Sequence, residues 1–171
     1  MKRNALIRGA VLLVMIAGMT LASCKKSSTA QEDIVGTWTA GATSMNVMVG
    51  SETLTQYFTT VMGLTADQAA LYVTTVEQAL KQSFTGTIQI KSNNTYTSTL
   101  GGKTDTGTWS LNSDKSKLTI DSSTDDPVTV DVIQLTSSVL HLAMTENTSE
   151  DLNSDGTPET ITVQADVTFN K

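Results

Sequence analysis

The chain has 171 residues, of which 17 are acidic, 11 basic and one a cysteine. That length accommodates one domain with a real core, and a lone cysteine excludes any disulfide within it. A formal charge of −6 argues against nucleic acid, whose phosphates demand clustered cations.

The chain opens on Lys2, Arg3 and Arg8, runs apolar from Gly9 to Ala22, and reaches Leu21-Ala22-Ser23-Cys24. A charged start, a short apolar stretch and small residues before a cut are the layout of a secretory signal, and the apolar run falls below the ~18 residues that a membrane span requires. Leu-Ala-Ser-Cys resembles the lipobox of bacterial lipoproteins. That resemblance implies cleavage before Cys24, a diacylglycerol on its thiol and an acyl chain on its amine. Residues 1–23 are then a cleaved signal, 24–33 a lipidated tether and 34–171 the folded domain. Burial of acyl chains contributes about 0.8 kcal/mol per CH₂, and more than one chain anchors stably. The mature chain keeps eight basic residues against seventeen acidic ones, a balance of −9, and no arginine. Such a surface suits anionic headgroups poorly, so contact with the bilayer is assigned to acylated Cys24. Lys25, where the inner-membrane retention signal of lipoproteins has aspartate, points to the outer membrane. Lys25-Lys26-Ser27-Ser28 differs from the acidic export tag of surface lipoproteins, which favours the periplasmic face.

Ile34 to Thr39 reads as the first strand. Gly41 to Val49 is ambiguous, although Met45, Val47 and Val49 alternate. Ser51 to Met62 carries Leu54, Tyr57, Phe58 and Val61 at helical spacing and stops at Gly63. A second helix begins at Thr65, whose hydroxyl can cap it while Gln68 reaches back. Its stripe is Ala69, Tyr72, Val73, Val76, Ala79 and Leu80. The pair is expected to pack on a sheet face or close a barrel end.

From Phe84 the period changes from 3.6 to 2. Strands are expected over Gly86–Lys91, Thr95–Leu100, Thr106–Leu111, Lys117–Asp121, Val128–Leu135, Val139–Thr145 and Thr160–Phe169, separated by turn clusters such as Ser92-Asn93-Asn94 and Gly101-Gly102-Lys103. With the first strand that makes about eight. A meander of that size resolves its edges by closing into a mainly β, antiparallel up-and-down barrel, with the two helices (about 51–83) inserted after the first strand.

Gly36-Thr37-Trp38 is similar to the Gly-x-Trp start of lipocalins and fatty-acid-binding-like barrels. Asn93 to Thr97, Gly107-Thr108-Trp109-Ser110-Leu111 and the turn Leu135 to Leu140 resemble lipocalin-like domains of lipoproteins from Bacteroidetes-type bacteria. The resemblance implies a lipocalin-like barrel with Trp38 and Trp109 packed at its base, each indole N–H finding an acceptor. Lipocalins lay an arginine from a late strand over the first tryptophan; both arginines here precede Cys24.

Asp151-Leu152-Asn153-Ser154-Asp155-Gly156 places oxygen-bearing side chains at positions 1, 3 and 5 and glycine at 6, as calcium loops begin, with Glu159 a further ligand at position 9. Position 12 is Thr162, which excludes a helix-loop-helix site; an Asn/Asp/Gly hairpin turn explains the same residues. His141 is the sole histidine and reads as barrel wall. No glycine-flanked nucleophile, second base or phosphate loop accompanies it, so no enzyme and no required cofactor are expected. Two functions remain. One is enclosure of a small apolar molecule by Met, Leu, Val and Tyr side chains; the other is a packed structural lipoprotein that meets a protein partner.

Overall fold

The computed structural model describes residues 33–171. The expected signal, lipobox with Cys24 and tether through residue 32 lie outside the described residues. Strand β1 (Gly36–Val49) is followed by a two-residue strand β2 (Glu52–Thr53), helix α1 (Leu54–Thr60) and helix α2 (Ala66–Ser83). Then come β3 (Gly86–Ile90), β4 (Thr95–Leu100), β5 (Lys103–Leu111), β6 (Lys117–Ser122), β7 (Val128–Leu135), β8 (Val139–Glu150) and β9 (Glu159–Asn170).

Every pairing from β3 to β9 joins sequence neighbours in antiparallel register, and β1 pairs with both β3 and β9. Eight strands therefore close on themselves, leaving β2 as a stub on the far end of β1. This is the mainly β, antiparallel up-and-down barrel with a two-helix insertion that the alternating pattern implies, and its form is the lipocalin-like one that the Gly-x-Trp resemblance implies. The ambiguous segment 41–49 belongs to β1: after an irregularity between Ala40 and Thr43, Thr43–Val49 pairs with Ile161–Val167. The bulge re-aims the strand and lets one chain segment serve both the barrel and its extension.

The strands differ in length for a reason visible in their partners. β1, β8 and β9 have 14, 12 and 12 residues, whereas β3 and β4 have 5 and 6. β1 meets β3 only over Gly36–Thr39, so above Ala40 the wall opens into a seam. The helices fill that side. Leu54 and Tyr57 of α1 pack with Val47, Val49 and Ile161, and Val73, Val76 and Leu80 of α2 join them. Both helices start on the same device, a threonine hydroxyl (Thr53, Thr65) that accepts from the N3 amide while the N3 glutamine (Gln56, Gln68) accepts from the threonine N–H.

The main core lies at the opposite end, where every barrel strand contributes: Trp38, Ile90, Tyr96, Trp109, Leu118, Val130, Leu140, Leu142, Val167 and Phe169. The Trp38 indole donates to the Ile34 carbonyl at 2.7 Å and the Trp109 indole to the Lys91 carbonyl at 3.0 Å. Both tryptophans thus form the barrel base. The cation over Trp38 comes from Lys171, whose Nζ stands 4.3 Å from the ring centroid and donates to the Asp33 carbonyl at 2.5 Å. Gly36 makes room for it, since a Cβ there would stand 2.6 Å from Lys171 Cε. Among the described residues no helix is long and apolar enough to cross a membrane.

Candidate functional site

Directly paired residues of an antiparallel ladder share a face, and faces alternate along a strand. Trp38, buried at the base, therefore fixes which side chains point inward all round the barrel. The lower inward layer is the buried core. The layer above it is inward as well: Ile88 pairs with Trp38 and Ser98, Ser98 with Asp105, Ile120 with Trp109 and Val128, Ser122 with Gly107, and Met144 with Ala165.

This upper layer differs from the floor in exposure. Ile88, Leu100, Ile120, Val128 and Met144 pack against the core yet remain partly accessible. These inward-facing, partly exposed apolar side chains form a cup-like layer on the side of the core away from Trp38. Polar groups stand among them. The Tyr96 hydroxyl donates to Asp105 Oδ2, and Ser122 Oγ donates to Asp105 Oδ1 at 2.8 Å. The Thr106 amide reaches the same Oδ1 at 2.8 Å. Burial first, and the hydrogen bond to Asp105 second, push the Tyr96 phenol far above its usual range, so it stays a donor. Across the cup, Glu146 follows Met144 on the inward face of β8 and pairs with Val163 of β9. Burial alone raises its carboxyl above the ordinary range.

The seam beside β1 holds an opening. Gly41 and Thr43 of β1 face Gln78, Lys81 and Gln82 of α2 and Thr85 across an open cleft of about 510 Å³. Its lining is amide, hydroxyl and ammonium, unlike the cup, and Lys81 is already paired with Glu77 at 3.3 Å.

The acidic loop forms the hairpin between β8 and β9. Asp151 accepts from the Asp155 and Gly156 amides at 3.1 and 3.0 Å, and Asn153 Oδ1 accepts from the Asp155 amide at 2.9 Å. Asp155 accepts from the Thr157 amide at 2.7 Å, which leads the effects that hold its carboxyl below the usual range. Gly156 has φ +90°, the left-handed conformation that the sixth position of such a loop demands. Glu159 is engaged elsewhere: it accepts from the Tyr57 hydroxyl at 2.7 Å and from the Leu152 amide at 2.9 Å. Among the described residues no three acidic, histidine or cysteine side chains converge to hold a metal ion. The loop therefore brings Asp151, Asn153 and Asp155 together and sends Glu159 to α1.

His141 faces outward from β8, with Nε2 3.3 Å from Asp166 Oδ1. The inward Glu146 and the Tyr96–Asp105–Ser122 group escape a reading by motif. Their signal is parity alone: each lies an even number of residues from a core residue on its strand.

No protein-family model matches the chain, and no curated relative matches it. Among solved structures, it is similar to a DUF4847-family protein from Bacteroides vulgatus, at 17% identity and a TM-score of 0.42, over 84% of this chain and 96% of that one.

Proposed function

We propose that this protein is a lipoprotein, acylated at Cys24 and held on the periplasmic face of the outer membrane, whose barrel binds a small apolar molecule without transforming it. The observation that carries this reading is the cup: a floor sealed by side chains, beneath inward apolar groups (Ile88, Leu100, Ile120, Val128, Met144) that remain accessible. A partly exposed aliphatic wall gains free energy by covering itself, at about 25 cal/mol per Å² removed from water. The mature sequence supports the absence of chemistry, since its single histidine stands on the outer wall.

Solvent extraction of the full chain purified from its membranes tests it. One apolar species near one per chain, found by mass spectrometry, is the expected result; a chain that carries none and takes up none from envelope lipids would overturn it. Radiolabelled palmitate entering the wild-type chain and not a Cys24→Ser chain tests the anchor.

A second reading has its own support. Val61, Met62, Leu71 and Tyr72 of the helical region are exposed large apolar residues. They favour a packed lipoprotein that meets a protein partner through its helices. Crosslinking from Leu71 in whole cells separates the two, because ligand binding in the cup requires no neighbour there. Calcium at Asp151, Asn153 and Asp155 is supported by their shared loop and the left-handed Gly156. It is expected to rigidify the hairpin, seen as a calcium-dependent rise in melting temperature that Asp151→Asn removes.

A further inference from the structure

The cup carries a charge without a counterpart. Glu146 lies inward on β8, between Met144 and Thr148 on its own face, and opposite Val163 of β9. Val163 in turn pairs with Val47 of β1, and both belong to the apolar cluster that packs beneath α1 and α2, so on the sheet Glu146 is flanked by Met144, Thr148 and Val163. Among the described residues Glu146 makes no side-chain hydrogen bond and no ion pair. The other acid of the upper layer, Asp105, is satisfied by Tyr96, Ser122 and the Thr106 amide. The lysines that make contacts are committed elsewhere: Lys117 to Asp131, Lys81 to Glu77, Lys91 to Thr97 and Lys171 to the Trp38 ring. Lys103 stands at the rim of the β4–β5 hairpin and is exposed.

A half-buried carboxylate with no hydrogen-bond or ion-pair partner loses hydration and receives nothing for it. A ligand that brings a positive charge to that point turns the loss into a charge-assisted contact, whereas a ligand that brings a carboxylate adds repulsion. We propose that the molecule bound in the cup is an apolar amine, its hydrocarbon body against Ile120, Val128 and Met144 and its ammonium group against Glu146. The inference rests on the binding function proposed above and narrows it: fatty acids are the wrong class, and cationic amphiphiles or alkylamines are the right one.

The test uses three compact ligands of one shape on the full chain in detergent: 1-aminoadamantane, 1-adamantanol and adamantane-1-carboxylate. Trp109, on the floor, reports binding by fluorescence, and isothermal titration confirms the stoichiometry. The amine is expected to bind about tenfold more tightly than the alcohol, and the carboxylate more weakly than either. Glu146→Gln keeps shape and hydrogen-bonding capacity, so it is expected to fold, to bind the alcohol as the parent does and to lose the preference for the amine. If the alcohol binds and the amine gains nothing over it, the assignment of the head group fails while the cup survives. If none of the three binds, the cup itself fails, and this proposal with it. If the amine preference persists in Glu146→Gln, another group recognises the charge and the assignment to Glu146 is wrong.

Discussion

At the barrel floor, Trp38, Ile90, Leu118 and Leu140 are at most 2% exposed, and the core around them draws on every barrel strand. In the helical flap, the 18-residue α2 buries one side chain, Ala69, and its neighbours Leu71 and Tyr72 are 68% and 54% exposed. Both regions cover the same inward face of β1 and β9, at different heights. The floor is held by eight strands whose ladders close a ring, so no part of it can leave without breaking the ring. The flap is held by the half-buried stripe of α2, three α1 side chains (Leu54, Tyr57 and Phe58), and the bond from Tyr57 to Glu159. Local opening follows such differences in burial. One end of the molecule is held by a closed ring of strands and the other by a smaller, partly exposed contact.

Four changes break or sharpen that contrast. Trp38→Ala is expected to have the largest effect, about 4 kcal/mol, lowering the urea midpoint of the whole domain in one cooperative step. Leu54→Ala, on the buried face of α1, is expected to cost about 2 kcal/mol. If the flap opens separately, hydrogen exchange will show this loss over residues 54–83 with the floor strands still protected; uniform loss of protection would mean that the two regions are one cooperative unit. Lys171→Met removes the cation over Trp38 and its bond to Asp33, and is expected to cost no more than about 1 kcal/mol in chemical denaturation.

Tyr57→Phe should have the smallest effect at neutral pH and an informative pH profile. The Tyr57 hydroxyl, and after it the Leu152 amide, hold the Glu159 carboxyl below its usual range. Its contribution is therefore present above the unfolded carboxyl pKa and is lost as pH falls through the folded value. Burial, followed by the bond to Glu159, raises Tyr57 to about 12. That contribution is present below the ordinary phenol value of about 10 and is lost as pH rises from there through the folded value. The melting-temperature difference between parent and variant is expected to be level between about pH 6 and 9 and to shrink on both sides. A difference independent of pH would remove the bond from the account of what holds the flap.

Much of the floor is legible in the sequence. The bounds of β4 and β7 match the expected strands because Asn, Gly and Ser clusters mark the turns beside them, and Trp38 and Trp109 stand where a barrel base needs them. The capping box at Thr65 was readable, while the one at Thr53 was hidden because the apolar spacing suggested a helix from Ser51. β8 runs five residues beyond the expected Thr145, since Glu146-Asn147-Thr148-Ser149-Glu150 looks like a loop until β9 supplies its partners. The cation over Trp38 was missed for a related reason: a lysine beyond the last strand replaces the arginine within one. The cup was the least legible feature. Inward direction can be read from alternation, but accessibility depends on where β1 leaves β3, and that follows from the bulge near Gly41.

The seam between β1 and β9 also governs the order in which the molecule can be made. Val49 pairs with Ile161 and Thr39 with Asn170, contacts that span more than a hundred positions of chain. Until β9 has been synthesised, β1 has no neighbour over Thr43–Val49 beyond the stub β2, and the flap lacks the Ile161 surface on which it rests. Closure of so non-local a contact is slow and comes late. The growing chain therefore stays open along this seam until nearly all of it exists.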